Sequence, residues 1–303
     1  MKIFITGIHG FIGTNLSRYL RGVGYDIVPE FNTGGWQSEY DNGATVDVAD
    51  YEELSETVFE TSPDLIIHLA ARKGSDYVDQ DVESAIRSNV TGMRNVIKVA
   101  NESQTPLIHF GTTAYYHSDV STKPIDEYSL MAPKTTYGIT KMLQLHLLEA
   151  QCVGKYMTIE PVFLYGNIGT FAANRSESIP DLLVKLLNDR DFPSCEARID
   201  PQWIKDYTHI SDFVWLMQRI IEKPAWGSRI TVGAMHNQRF IDVSRDEIIA
   251  VDGRLRFLLD VDYKQNQRHD YRKLLRFYPE WEARDRITLT EYYKFRGNVG
   301  VNL

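Results

Sequence analysis

Residues 2–16 constrain this chain more than any other stretch. Lys2-Ile3-Phe4-Ile5-Thr6 is a run of apolar and β-branched character that stops at Gly7. Gly10 and Gly13 come after it at three-residue spacing, with Phe11 and Ile12 between them, and a helical pattern then begins. Such a layout suits a strand that turns sharply into a helix and brings a pyrophosphate against the helix N-terminus. There the free N–H groups and the helix dipole favour negative charge. A Gly-rich turn also occurs in ordinary strand–helix connections, so its meaning depends on the rest of the chain.

Strands and helices alternate from there on. A helix over 14–23, closed by Gly24, leads to a strand over 25–31. The dinucleotide fold wants an acidic side chain near the end of that strand to bind ribose hydroxyls. Glu30 fits, and Asn32, two places on, is the alternative. No Lys or Arg lies between Glu30 and Gln37 to receive a 2′-phosphate, which favours NAD over NADP. A short strand over 44–48 ends in Asp47-Val48, and a helix over about 50–61 precedes a nearly continuous apolar strand over 64–71. A long helix over about 81–101, a strand over 106–110 and the stretch Gly111-Thr112-Thr113 come next. Buried strands separated by helices define an α/β chain, a doubly wound parallel sheet of Rossmann type.

A helix opening near Tyr137 carries Lys141 four residues on, so both project from one face. An ammonium beside a phenol lowers its pKa toward working pH and makes the tyrosine usable as an acid/base. A Tyr/Lys pair at this spacing is most often surface decoration. This helix, however, is apolar on several sides (Met142, Leu143, Leu145, Leu147, Leu148), as a helix buried against a sheet and a partner helix should be. Beyond it the pattern predicts a strand over 156–164, helices over about 179–188 and 212–222, and a strand over 227–233. Arg254, Arg256, Lys264, Arg268, Arg272 and Lys273 form either a solvated basic face or a cluster that receives a diphosphate.

Composition removes other classes. A net charge of -8 argues against nucleic acid and anionic membranes as general partners. Cys152 and Cys195 have no metal-ligand spacing and read as reduced thiols of a cytoplasmic protein, with no metal expected. No apolar run is long enough for a signal or a membrane span.

Taken together the motifs resemble the extended short-chain dehydrogenase/reductase family, the nucleotide-sugar epimerases, dehydratases and reductases. The resemblance rests on Thr6-Gly7-x-x-Gly10-Phe11-Ile12-Gly13, Asp47-Val48, His68-Leu69-Ala70-Ala71, Asn89-Val90-x-Gly92, Thr112 before Tyr116, Tyr137-x-x-x-Lys141 and the Lys205-to-Asp212 segment. It implies a dinucleotide-binding domain over 1–166 plus about 204–232, and a smaller mixed α/β substrate domain over 167–203 and 233–303. It also implies a homodimer through the helices at 81–101 and 137–152.

By the same resemblance Thr112, or else Thr113, joins Tyr137 and Lys141 in catalysis. The cofactor would meet the glycine turn, Glu30 or Asn32, Asp47, Val48, Leu69, Ala70, Ala71, Lys73, Asn89, Tyr137, Lys141, Pro161 and Val162. A nucleotide-sugar substrate would meet Lys73, Thr113, Phe163, Lys205 and Arg268.

Departures narrow this. Thr113-Ala114 stands where 4,6-dehydratases carry an acidic pair, and Glu160, Phe163 and Lys205 replace the family's usual Arg, Asn and Arg. Ala71-Arg72-Lys73 resembles the lysine-bearing stretch of UDP-galactose 4-epimerases. The resemblance therefore implies an NAD-dependent epimerase. A keto-sugar reductase and a silent NAD-binding scaffold are the alternatives.

Overall fold

The computed structural model describes residues 1–28, 46–73, 81–116, 123–166, 178–197, 202–257 and 268–295. Its strands in chain order are β1 (Lys2–Thr6), β2 (Asp26–Ile27), β3 (Leu65–His68), β4 (Leu107–Phe110), β5 (Tyr156–Pro161), β6 (Leu164–Tyr165), β7 (Cys195–Ala197), β8 (Ile204–Lys205), β9 (Thr208–His209), β10 (Arg229–Val232), β11 (Gln238–Arg239) and β12 (Leu255–Phe257). Six of them form one sheet in the order β2-β1-β3-β4-β5-β10, every pair parallel. From β1 the chain steps outward to β2, and from β3 it steps the other way. The order therefore reverses between β1 and β3, where a crevice opens at the strands' carboxyl ends.

Of the helices among the described residues, the first in chain order are α1 (Phe11–Gly22), α2 (Tyr51–Thr61), α3 (Val82–Ala85), α4 (Gly92–Ser103), α5 (Thr136–Gln151), α6 (Ile179–Asn188) and α7 (Ile210–Glu222), and shorter helices follow beyond residue 239. Alternation along β1 sorts the two faces of the sheet. Ile3 and Ile5 pack with Leu16 and Leu20 of α1 and Phe213 and Met217 of α7. Phe4, pointing the other way, packs with Leu54 of α2, Val96 of α4 and Leu148 of α5. Both faces are thereby covered, which a parallel sheet requires. A separate apolar cluster joins Tyr165, Leu183 and Val184 to Phe240, Leu289 and Tyr292. Around it β8 pairs antiparallel with β11, and β7 pairs parallel with β12.

The structure departs from expectation in four places. Residues 46–48 of the expected strand over 44–48 lie outside the sheet. The Asp47 carboxylate accepts the Ala49 N–H at 2.9 Å and the Asp47 carbonyl accepts that of Asp50, so the chain turns instead. The second strand is confined to Asp26–Ile27 among the described residues. The fifth stops at Pro161 because Phe163 takes φ +33°, which no strand can continue. Finally, the long helix is interrupted between α3 and α4 by a π-helical segment, Ile86–Thr91.

Candidate active site

The glycine turn forms a cradle at the carboxyl end of β1. Gly7 has φ +70°, and a Cβ there would lie 2.8 Å from the Ala70 nitrogen. At Gly13 a Cβ would lie 2.6 Å from Ile8 Cα and would strike the Gly7 carbonyl. Helix α1 starts at Gly10 with no side-chain cap and no acidic residue in its first turn, so its N-terminus suits an anion. The Thr6 hydroxyl accepts from Ala70 N at 3.2 Å and meets His68 Nδ1 at 2.8 Å, tying the end of β1 to the end of β3. The groups present fit a dinucleotide. Phe11, Ile12, Leu69, Ala70 and Ala71 are half-buried around this cradle, and Lys73 is exposed.

Glu30 and Asn32, the expected ribose contacts, lie outside the described residues. Asp47 forms an ion pair with Arg87 at 2.6 Å between two half-exposed side chains. Val48 packs beneath Gly92, where a Cβ would come within 2.6 Å of its Cγ2. Asn89 is fully buried, and its amide is occupied: it donates to the Arg72 carbonyl (3.0 Å) and Thr140 Oγ1 (2.9 Å) and accepts from Arg72 N (2.7 Å). Pro161 ends β5, and buried Val162 donates its N–H to the Val232 carbonyl at 2.9 Å.

Thr112 comes two residues after β4 and caps a single 3-10 turn, Thr113–Tyr115, by accepting the Ala114 N–H at 3.2 Å. Thr113 is buried within that turn. The start of α5 packs directly on it: a Cβ on Gly138 would lie 2.8 Å from the Ala114 carbonyl. Close approach at Gly138 is what brings its neighbour Tyr137 to Thr112.

Here the structure corrects the expectation from spacing. Burial pushes the Tyr137 phenol up from its ordinary value, and the Thr112 hydrogen bond only partly opposes this. The ammonium's own hydrogen bonds go to other groups. Lys141 is buried with Nζ donating to the Phe110 carbonyl at 2.7 Å and to Gln144 Oε1, and burial lowers it to about 7. Tyr137 therefore stays a protonated phenol in the protein alone.

Glu160, one of the departures, lies behind the site. It is fully buried and accepts from the Tyr115 hydroxyl, from Tyr116 Oη at 2.7 Å and from Thr231 Oγ1 at 3.1 Å. Arg229 Nε stands 3.2 Å away. Burial raises this carboxyl to about 7, with the Tyr115 hydroxyl and Arg229 opposing it. Burial opposes the Arg229 guanidinium's charge, and the neighbouring Glu160 carboxylate outweighs it and holds the guanidinium above its ordinary value.

On the far side Phe163, Lys205, Tyr207 and His269 come together. Lys205 Nζ lies 4.0 Å from the centre of the Phe163 ring and 5.9 Å from that of Trp203. It is 8% exposed, with no carboxylate partner among the described residues, and burial lowers it to about 7. His269, 4% exposed, has neither ring nitrogen bonded, and the Tyr207 hydroxyl is likewise unbonded. Burial first, and Lys205 second, lower His269 to about 3.

Arg268 is exposed. The expected basic cluster disperses among the described residues: Arg254 donates to the carbonyls of Leu186, Asp189 and Arg190, Arg272 pairs with Asp270, and Lys273 lies over Tyr128. Each caps or neutralises something local. Tyr207, His269, His109 and Gln144 are not legible as site residues in the sequence, since isolated His, Tyr and Gln carry no spacing signal. Among the described residues no group of His, Cys, Asp and Glu could hold a metal ion, and no helix is long and apolar enough to cross a membrane.

A doubly wound sheet with an anion cradle at its switch point and a Thr–Tyr–Lys set at the next strand end defines a dinucleotide-dependent enzyme architecture. Residues 3–233 match the model of the NAD dependent epimerase/dehydratase family, and the chain belongs to that family. It is 27% identical over 235 residues to the UDP-glucose 4-epimerase of Halalkalibacterium halodurans, covering 70% of this chain and 68% of that one. It is also 27% identical over 169 residues to the dTDP-4-dehydrorhamnose reductase of Salmonella typhimurium, covering 56% of this chain and 53%, about half, of that one. The fold is shared with the UDP-glucose 4-epimerase of Thermotoga maritima, solved with UDP-glucose, at a TM-score of 0.81 and 18% identity over 98% of this chain and 97% of that one.

Proposed function

We propose that this protein is an NAD-dependent epimerase acting at a secondary alcohol of a nucleotide-linked sugar. The observation that carries this reading is the packing of the start of α5 on the turn that Thr112 caps, which sets Tyr137 toward Thr112, with Lys141 buried and bonded to the Phe110 carbonyl at the end of β4. Bound NAD would supply the hydride acceptor and donor. Tyr137 takes the proton of the sugar hydroxyl at its phenol oxygen and later returns it. A phenol raised by burial needs help to do so, and the positive nicotinamide ring supplies the field that favours its phenolate. Thr112 hydrogen-bonds the reacting oxygen, Lys141 holds the ribose, and Lys205 receives the diphosphate. A buried ammonium with no carboxylate partner is costly by itself and gains from an anion. The acidic pair of dehydratases is replaced by Thr113-Ala114, which disfavours dehydration. The division into a cofactor domain (1–166 with about 204–232) and a substrate domain, the homodimer and a cytoplasmic setting belong to the same reading.

A second reading, an NAD(P)H-dependent keto-sugar reductase, is favoured by the similarity to dTDP-4-dehydrorhamnose reductase. Mass spectrometry of small molecules released on denaturation separates the two, followed by assay over a panel of UDP- and dTDP-sugars. The epimerase reading expects near-stoichiometric NAD and interconversion without net cofactor consumption; turnover that oxidises one NAD(P)H per product overturns it. Tyr137→Phe should lower turnover by roughly 10²–10⁴ while retaining NAD binding, the range for a positioned acid/base. Wild-type turnover in that variant would move the scaffold alternative to the front.

A further inference from the structure

We propose that Gln144 is the positioning residue for Lys141, fixing its ammonium by one interior acceptor so that an N–H remains for the cofactor's ribose. This rests on the reading that Lys141 serves the cofactor. Gln144 lies one helical turn beyond Lys141 on the sheet-facing side of α5 and is fully buried. An amide there is costly unless its groups are bonded. All are: Nε2 donates to the Asn89 carbonyl at 2.7 Å, in the π-helical segment, while Oε1 accepts from Lys141 Nζ and stands 3.2 Å from His109 Nε2.

The orientation of that amide is forced. The Asn89 carbonyl can only accept and the ammonium can only donate, so a reversed amide would lose both bonds. His109 must then carry its hydrogen on Nε2, and its bare Nδ1 faces the Thr158 hydroxyl at 3.3 Å. His109 thereby backs Gln144 Oε1 from β4, and His68 from β3 stacks on it with ring centres 6.3 Å apart. The titratable groups that feel Lys141 from the strands packed against it are these two imidazoles; on its own helix Tyr137 stands one turn before it. Burial and then Lys141 hold both imidazoles far below their ordinary range, so they are neutral. No anion compensates the ammonium from any packed element among the described residues. Of its three N–H donors two are engaged, by Phe110 and Gln144, and one is left.

The test is NAD affinity by calorimetry from pH 6 to 9 on the full-length wild type, Gln144→Leu, Gln144→Glu, Lys141→Ala and the Lys141→Ala/Gln144→Leu double variant, each checked for native circular dichroism. The wild type should lose affinity on the alkaline side as Lys141 deprotonates. Gln144→Leu should weaken NAD about 10- to 100-fold at pH 7, the loss for a hydrogen bond to a charged group, and shift the alkaline midpoint to lower pH. Gln144→Glu keeps an acceptor in place and should restore affinity and shift the midpoint upward, a rescue that mere packing does not give. In the Lys141→Ala background Gln144→Leu should add almost nothing. An unshifted midpoint in Gln144→Leu, or the same loss in both backgrounds, overturns the proposal. Wild-type NAD affinity in Lys141→Ala would instead remove the cofactor role of Lys141, and the proposal with it.

Discussion

Replacing Glu160 by Leu tests whether the buried carboxylate bonded to the Tyr115 and Tyr116 hydroxyls is a structural keystone. In the folded chain it is the acceptor for three buried hydroxyls, those of Tyr115, Tyr116 and Thr231, and the counter-ion of Arg229. A buried donor left without an acceptor costs about 1–3 kcal/mol, so three hydroxyls alone set a range of about 3–9. Hydroxyls can rotate toward other partners and the leucine adds apolar contact worth about 1–2 kcal/mol, so the loss lies toward the lower part of that range, about 3–5 kcal/mol. That is also the range for removing one partner of a buried ion pair. Equilibrium urea unfolding reads it directly. Arg229→Met in the Glu160→Leu background should recover part of the loss, since it removes the uncompensated guanidinium. A Glu160→Leu loss below about 1 kcal/mol would refute the network.

Acid should unfold the protein near pH 5: buried His68, His209 and His269, lowered to about 3, about 4 and about 3, stay neutral while their unfolded counterparts protonate near 6.5. The histidine contribution is thus full above pH 6.5 and lost as pH falls, by about 2 kcal/mol per histidine at pH 5. His109 adds to this and Glu160, raised in the fold, offsets about one proton of it; circular dichroism against pH checks the window, and a fold intact at pH 4 contradicts it. Gly13→Ala would force a Cβ to 2.6 Å from Ile8 Cα and should weaken NAD binding at least about tenfold by calorimetry; unchanged affinity would remove the cradle. Val82, Ile86, Ile139 and Leu143 leave 40%, 46%, 44% and 41% of their surface exposed on α3, the π-helical segment and α5, as a dimer interface would. Sedimentation should show a dimer at micromolar concentration and a monomer after Leu143→Glu; a wild-type monomer removes the interface.

The doubly wound sheet is legible in the chain because burial on both faces leaves a near-continuous apolar record in 64–71 and 106–110. The helix Ile179–Asn188 is likewise plain, with Ser178 and Pro180 marking its start. The features that escape a sequence reading are decided by single backbone states. The π-helical segment leaves the apolar period of the long helix almost unchanged, and the end of β5 is set by one left-handed φ at Phe163. Residues 46–48 are apolar enough for a strand, but a short carboxylate at Asp47 gives the backbone a local alternative.

The site is recoverable as residue types at spacings, and its electrostatics are not. Four residues apart places Tyr137 and Lys141 on one helical face, but the ammonium goes where acceptors lie, and those acceptors are a strand carbonyl and a glutamine with no motif of their own. Glu160 carries the same lesson from the other side. Set against the family's arginine it looks like a change in what the pocket receives. In the folded chain the acid is answered by Arg229 from β10 and by two tyrosines shortly after Thr112, residues 69 and about 45 positions away in sequence. A charge reversal inside a buried network is tolerable only when its partners change with it, so the partners, not the motif position, tell whether such a departure concerns substrate or scaffold. By that criterion Lys205, buried without a carboxylate partner among the described residues and beside an unbonded His269, stands apart from Glu160, because no partner answers its charge.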